Sequence, residues 1–144
     1  MAVTCTRRLC FEAGHRVYGH ESKCANLHGH SYKVEIEACA PELDSVGRVM
    51  DFSLLKEKMG GWIDEHWDHG FLLWFKDAEA QFAINNLSNQ KLYRMPYNPT
   101  AENIARHLLE DICPLVLRGT GVSVTRVIVR ETENCSAEAS HKGC

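Results

Sequence analysis

The sequence predicts an α+β domain in which helices pack on one face of an antiparallel sheet. Residues 3–17, 30–38 and 122–129 alternate between apolar and polar side chains, as strands with one buried face do. Between the second and third of these strands lie two segments whose apolar residues follow helical spacing. With a short strand after Cys135, the predicted order is β-β-α-α-β-β.

The first two strands are predicted to pair with each other. Residues 3–17 alternate loosely and carry His15 near the end, whereas His30–Ala38 alternates cleanly. A polar loop through Gly19 and Cys24 joins the two strands, and strands that are neighbours in sequence usually pair.

The first helix is predicted from apolar residues at positions 55, 59, 62 and 63, and it should end before Trp67. An apolar run over 71–75 follows. The stretch 76–97 mixes residue types and predicts partial helix at most.

The second helix has a clear beginning. Thr100 can cap it and Glu102 lies in its first turn, while apolar positions 104, 108, 109 and 112 continue it to about Cys113. Pro114 is expected to end the regular helix, because proline lacks the N–H that a helix interior needs. The strand over 122–129 then leads to Glu131.

The length and composition predict a single globular domain spanning residues 1–144. Hydrophobic residues make up 44% of the chain and charged residues 24%, which is ordinary for a protein with its own core. A net charge of −3 argues against binding to nucleic acid or to a membrane surface. The chain has no apolar stretch that could span a bilayer and no signal-peptide core at its start, so we expect a cytoplasmic protein.

The seven cysteines predict no disulfide framework. Their number is odd, they form no Cys-x-x-Cys pair, and disulfides are rare in the cytosol. We therefore expect reduced thiols, most of them acting as small hydrophobic residues in or near the core.

The pattern His28-Gly29-His30 is the strongest indication of chemistry. Residues two apart on a strand project from the same face, and a paired strand could bring His15 beside them. Three neutral imidazoles are typical ligands of a catalytic zinc with an open fourth position. The alternative for His28 and His30 is two strand histidines that make ordinary hydrogen bonds.

Cys24 and the Asp68-His69 pair are the candidate catalytic groups. A metal or an imidazole nearby would lower the pKa of the Cys24 thiol and suit it for nucleophilic attack or proton abstraction. A carboxylate that orients an imidazole suits proton transfer by His69. The alternatives are that Cys24 is a fourth, structural zinc ligand and that Asp68-His69 is a solvated turn.

Three glutamates are weaker candidates. Glu131 and Glu133 follow the strand over 122–129, where a carboxylate could accept paired hydrogen bonds from an amidine-like edge of a guanine or pterin ring. The alternative is an exposed strand end. Glu102 has an equally simple explanation as a first-turn helix acid.

A series of motifs resembles the family of 6-pyruvoyltetrahydropterin and 6-carboxytetrahydropterin synthases. The motifs follow family order from residue 11 to residue 132, so the resemblance covers nearly the whole chain. They are Phe11-Glu-Ala-Gly-His15, Cys24-x3-His28-Gly-His30-Ser-Tyr, Val49-Met-Asp-Phe-Ser-Leu-Leu-Lys56, Asp68-His69, Asn98-Pro-Thr-Ala-Glu-Asn103 and Glu131-Thr132.

The resemblance implies a tunnelling fold (T-fold) that assembles as a homohexamer of two trimers with active sites between subunits. It also implies a role for each candidate residue: zinc on His15, His28 and His30, the catalytic thiol at Cys24, a proton relay of Asp68 and His69 from an adjacent subunit, and a pterin anchor at Glu131 helped by Thr100 and Glu102.

The implied substrate is 7,8-dihydroneopterin triphosphate. In the carboxy branch, which feeds queuosine biosynthesis, the products are 6-carboxy-5,6,7,8-tetrahydropterin, acetaldehyde and triphosphate. The biopterin branch instead gives 6-pyruvoyltetrahydropterin. The short Cys24-x3-His28 spacing resembles the carboxy branch. A non-catalytic module stabilised by zinc is the alternative of another class.

Two features depart from the family pattern. Gly14 stands where a small alanine or serine is common, and the stretch between His69 and Asn98 is long. Arg16, His20 and Lys23 are nearby candidates for binding the triphosphate.

Overall fold

The computed structural model describes residues 2–144 and confirms the α+β fold. Strand β1 (Thr4–His15) pairs with β2 (His28–Cys39) in one antiparallel ladder from Thr4↔Cys39 to His15↔His28. The predicted pairing is therefore correct, and the polar loop joins the ends at which the two histidines face each other.

The sheet has six strands in the order β4-β3-β1-β2-β5-β6. Strands β5 (Ser123–Arg130) and β6 (Ser136–Ser140) extend the antiparallel part as predicted. Strands β3 (Gly70–Trp74) and β4 (Leu92–Met95) add a parallel part beside the last residues of β1. The whole sheet is thus mixed rather than purely antiparallel.

The segment from β3 to β4 is a small βαβ unit that the sequence pattern does not resolve. Asp77 caps the beginning of its helix α3 (Ala78–Asn85). Ala80 and Ile84 of the helix pack against Leu73 of β3. Apolar runs of four or five residues do not distinguish strand from helix by period, and this explains the gap in the prediction.

The first long helix consists of α1 (Phe52–Leu55), a π-helical turn (Lys56–Gly60) and α2 (Gly61–His66). Asp51 caps its beginning by accepting a hydrogen bond from the Ser53 N–H at 2.7 Å. It ends before Trp67, as predicted.

The second long helix consists of α4 (Ala101–His107), a π-helical turn (Leu108–Ile112) and α5 (Cys113–Val116). Thr100 caps it by accepting from the Asn103 N–H at 3.1 Å. The expectation that Pro114 ends the helix is wrong. After the wide π-helical turn, Pro114 stands in the first turn of α5, where a missing N–H is tolerated.

Both long helices cover the same face of the sheet. Val34 and Ile36 of β2 are fully buried together with Leu55, Met59 and Leu108 of the helices. The opposite face carries charged side chains, including the ion pairs of Glu35 with Arg8 and Arg130. In residues 2–144, no helix has both the length and the apolar character needed to cross a membrane.

The structure corrects the prediction for the cysteines. A disulfide joins Cys39 at the end of β2 to Cys144, which is 105 residues away in sequence and could not be paired from spacing. Among the free thiols of the described residues, Cys113 is buried, Cys5 and Cys24 are half-buried, and Cys10 and Cys135 are exposed. Most of the cysteines are therefore not core residues.

Candidate active site

The β1–β2 ladder brings the three predicted histidines together. His15, His28 and His30 lie on the helix-covered side of the sheet, with ring centroids 4.6 to 5.1 Å apart. One nitrogen from each ring lies within 4.8 Å of the others. The arrangement is the open cluster that the His-x-His pattern predicts.

Backbone carbonyls fix the tautomers of two of these rings. His15 donates its Nδ1–H to the Pro99 carbonyl at 2.7 Å, and His28 donates its Nδ1–H to the Asn26 carbonyl at 2.6 Å. The Nε2 atoms of both rings are therefore left with lone pairs, and they face each other at 3.1 Å. Two such lone pairs repel unless a cation or a proton lies between them.

The third ring supports the same interpretation. His30 Nε2 is buried and finds no hydrogen-bond partner among residues 2–144. A buried nitrogen without a partner is costly, and a metal ion at the centre of the cluster would satisfy it. The donor set of three imidazoles fits zinc better than magnesium or calcium, which prefer oxygen.

Burial keeps the His15 and His30 imidazoles in the neutral form that binds metal. Removal of His15 from water, helped by the charges of His28 and His30, lowers the pKa of His15 to about 4 despite its bond to Pro99. Burial also lowers the pKa of His30. Both rings are therefore neutral at physiological pH.

Glu131 lies directly beside the cluster at the end of β5. Its carboxylate oxygens are 3.9 Å from His15 Nε2 and 3.8 Å from His30 Nε2. Glu133, in contrast, is exposed in the following turn. The two glutamates are thus distinguished by position, which the sequence alone could not decide.

One cleft of about 330 Å³ collects most of the predicted site residues. Its lining includes His15, Cys24, Thr100, Glu102 and Glu131. His20, Cys135 and Ser136 also line it. A thiol, a carboxylate and one of the clustered imidazoles therefore face the same space.

Cys24 is presented by a short 3-10 turn, Lys23–Ala25, in the β1–β2 loop. Its carbonyl accepts a hydrogen bond from the Val17 N–H at 2.8 Å, which ties the turn to the chain leaving β1. Val17 and Cys24 thus line the cleft together with His15.

Asp68 and His69 form the predicted pair but lie elsewhere. His69 Nδ1 donates to Asp68 Oδ2 at 2.9 Å, and Asp68 Oδ1 accepts from the Glu12 N–H at 2.9 Å. His69 is exposed, with a left-handed φ of 60°. It lines a second cleft, of about 380 Å³, with Glu12, His30 and Ser31. Within one chain, His69 and Cys24 therefore line different clefts.

The structure adds residues that sequence reasoning missed. Pro99 acts through its backbone carbonyl, which no side-chain pattern reveals. Arg16, considered as a triphosphate ligand, is instead bound to buried Asp77 through two hydrogen bonds of 2.7 and 2.6 Å. Its partner Asp77 lies in the stretch 76–97, where the sequence pattern was least informative.

Comparisons with known proteins identify the family of this chain. The family model described as 6-pyruvoyl tetrahydropterin synthase matches residues 4–142. A 6-carboxy-5,6,7,8-tetrahydropterin synthase of Rickettsia felis is 46% identical, with 94% of this chain and 99% of that protein covered.

Solved structures support the fold independently. An uncharacterised protein of Wolinella succinogenes superposes with a TM-score of 0.81 at 24% identity, covering 99% of both chains. The 6-pyruvoyltetrahydropterin synthase of Plasmodium vivax superposes with a TM-score of 0.73 at 21% identity, covering 98% of both chains. The T-fold implied by the sequence motifs is thereby confirmed.

Proposed function

This chain belongs to the 6-pyruvoyl tetrahydropterin synthase family, and on that premise we propose that it is a zinc-dependent 6-carboxy-5,6,7,8-tetrahydropterin synthase. The family makes it a tetrahydropterin synthase-type lyase. The substrate is 7,8-dihydroneopterin triphosphate, which with one water gives 6-carboxytetrahydropterin, acetaldehyde and triphosphate. The product would enter queuosine biosynthesis in the cytoplasm.

The observation that carries the proposal is the convergence of unsatisfied Nε2 atoms beside a thiol and a carboxylate. His15, His28 and His30 would hold the zinc ion. When bound, zinc would lower the pKa of substrate side-chain hydroxyls and stabilise negative charge on their oxygens.

The residues of the chain would perform the remaining steps. The Glu131 carboxylate would accept hydrogen bonds from the N–H groups of the pterin edge, with Thr100 and Glu102 lining the ring pocket. Cys24 Sγ would take a proton from a side-chain carbon of the substrate. His69 Nε2 would handle a proton on the other side, because Asp68 occupies its Nδ1.

A homohexamer would complete this arrangement. Since His69 and Cys24 line different clefts in one chain, the proposed relay is formed by Asp68 and His69 of a neighbouring subunit. Active sites between subunits then follow from the geometry of the proposal.

The direct test is to incubate the zinc-loaded protein with 7,8-dihydroneopterin triphosphate and identify the products by mass spectrometry. Acetaldehyde together with 6-carboxytetrahydropterin is the expected result. A pyruvoyl product without acetaldehyde would assign the biopterin-branch reaction instead. No turnover by folded, zinc-loaded protein would contradict both.

Replacing the thiol separates an enzyme from a zinc-stabilised module. Cys24→Ala is expected to keep one zinc per chain and the folded state but to lose about 10³-fold or more in kcat, as removal of an essential catalytic group does. Cys135→Ala, a thiol on the same cleft, is the matched control and should retain activity. Loss of zinc and fold in Cys24→Ala would favour a structural fourth ligand.

A further inference from the structure

We infer that the Arg16–Asp77 ion pair is a positioning device that fixes the Cys24-bearing loop against the β3–α3 segment. The inference rests on the proposed function, in which Cys24 is the catalytic thiol. It gives the long stretch between His69 and Asn98 a role in the active site.

The pair is partly buried and bidentate. Arg16 Nε and Nη2 donate to the two carboxylate oxygens of Asp77 at 2.7 and 2.6 Å. The Asp77 side chain is completely buried and that of Arg16 is 18% exposed. Two parallel charged hydrogen bonds fix the orientation of the guanidinium as well as its distance. Glu79 adds only a peripheral contact, 3.7 Å from Arg16 Nη1, and is exposed.

Asp77 is held rigidly in the βαβ unit. Its Oδ1 also accepts from the Ala80 N–H at 3.2 Å, which caps α3. One turn along, Gln81 donates to the carbonyls of Trp74 and Phe75 at 2.9 Å and accepts from Arg94 of β4 at 2.7 Å. The carboxylate is therefore a fixed point.

A short path leads from this fixed point to the thiol. Arg16 directly follows His15. Asn98 holds the Tyr18 backbone on both sides: its side-chain oxygen accepts from the Tyr18 N–H at 3.0 Å, and its side-chain NH2 donates to the Tyr18 carbonyl at 2.9 Å. Between these anchors lies Val17, whose N–H donates to the Cys24 carbonyl at 2.8 Å. Cys24 is thus one hydrogen bond away from the anchored stretch.

The histidine cluster has separate supports. His15 is held by the Pro99 carbonyl and by its register position opposite His28 on β2. Loosening Arg16 should consequently displace the Cys24 turn while leaving metal binding intact. This separation makes the inference testable.

The test compares Asp77→Asn with Glu79→Gln. Asparagine still accepts the capping hydrogen bond of α3 but removes the charge that holds Arg16. Glu79→Gln removes one charge from the same helix without touching the bidentate pair. Four quantities are measured below the unfolding temperature: zinc content, kcat, KM and the rate at which iodoacetamide alkylates Cys24.

The alkylation rate is read by mass spectrometry on the tryptic peptide of residues 24–33, which contains Cys24 as its one cysteine. Cys10, exposed on β1 in the peptide of residues 9–16, is the internal reference. For Asp77→Asn we expect full zinc loading, a kcat lowered by about 10- to 100-fold with little change in KM, and an altered Cys24 alkylation rate. Glu79→Gln should match the wild type in every measurement.

Arg16→Lys is the second variant, because it keeps the positive charge and loses only the bidentate geometry. It should reproduce the Asp77→Asn pattern even where the latter folds poorly. The inference is overturned when either variant is folded and matches Glu79→Gln in kcat and in Cys24 alkylation. It is also overturned when zinc is lost in proportion to activity, since the pair would then act on His15.

The proposed function fails separately. A wild-type protein that does not turn over the pterin would contradict the function. The alkylation rates would still decide whether the Arg16–Asp77 pair positions Cys24.

Discussion

Among single residues, the three histidines carry the most information. His15 and His28 each donate the Nδ1–H to a backbone carbonyl, so the lone pair of Nε2 is available to a metal ion. His30 Nε2 is buried without a hydrogen-bond partner among residues 2–144. The sequence predicts the ligand set from spacing. Which nitrogen of each ring faces the centre depends on the carbonyls of Pro99 and Asn26, and these come from distant or irregular backbone.

Removing one imidazole should abolish metal loading. We expect His28→Ala to lose zinc affinity by about 100-fold or more, because two imidazoles do not complete the usual minimum of three protein ligands. Zinc per chain, measured by elemental mass spectrometry after dialysis against a chelator, tests this. His20→Ala is the control, since His20 lines the cleft but lies outside the cluster. Unchanged zinc in His28→Ala would remove the three-histidine site.

The two glutamates after β5 should differ in pterin binding. Glu131→Gln is expected to weaken binding of a pterin by about 10- to 100-fold, the value of a hydrogen bond to a charged group. Glu133→Gln should have little effect because Glu133 is exposed and does not line the cleft. Titration calorimetry with neopterin measures both, and zinc content is checked in parallel because Glu131 lies within 4 Å of His15 and His30. Equal losses would contradict the assignment.

At the scale of elements, the β1–β2 ladder and the added β3 strand form the framework of the site. The ladder places His15 opposite His28, while β3 packs Phe71 against Gly14 beside them. A Cβ at position 14 would overlap the Phe71 ring. The small residue before His15 is therefore not interchangeable with alanine in this chain, although the sequence alone gives no reason for glycine.

Two glycine substitutions should have opposite effects on stability. Gly14→Ala is expected to destabilise the fold by about 1–3 kcal/mol through overpacking against Phe71. Gly61→Ala should stabilise it by about 0.5–1 kcal/mol, because Gly61 is helical and the added methyl group meets no atom within 4 Å. Urea unfolding measures both. Combining Gly14→Ala with Phe71→Leu should recover part of the loss, and full additivity would exclude the proposed contact.

For the whole molecule, the main feature is the separation of Cys24 from His69. One chain presents the thiol in a cleft that includes His15 and presents His69 in another cleft that includes His30. In the proposed mechanism, which needs both Cys24 and His69 at one substrate, the two clefts of different chains would have to meet. This is the physical argument for assembly that the sequence by itself did not supply.

Mixed assemblies test this directly. Cys24→Ala and His69→Ala should each be inactive alone, whereas subunits mixed by unfolding and refolding should regain about a quarter of wild-type activity, the fraction of random pairs that unite both intact residues. Size-exclusion chromatography with light scattering verifies reassembly. Activity that stays at the level of the single variants would place thiol and relay in the same chain.

The sequence alone determined the antiparallel strands, both long helices and the identity of the clustered histidines. These depend on local periodicity and on capping residues such as Thr100, and both are properties of short stretches of chain. The family motifs similarly predicted the T-fold, because motifs that follow one another in the family's order along the chain indicate the family's arrangement of strands. Two predictions from local sequence failed: the helix continues past Pro114, and Cys39 forms a disulfide with Cys144. In both cases the structural surroundings outweigh the preferences of the local sequence.

Only the tertiary structure decided how these residues are supported and separated. The pairing of β3 with β1, the Arg16–Asp77 ion pair and the hydrogen bond from His15 to the Pro99 carbonyl each join segments far apart in sequence. A buried charged side chain pairs with the opposite charge that the fold places beside it. Every residue has a backbone carbonyl, so residue types do not show which carbonyl will accept a hydrogen bond. For that reason the clustering of His15, His28 and His30 could be predicted from the chain, whereas the contacts that hold the Cys24 turn could not.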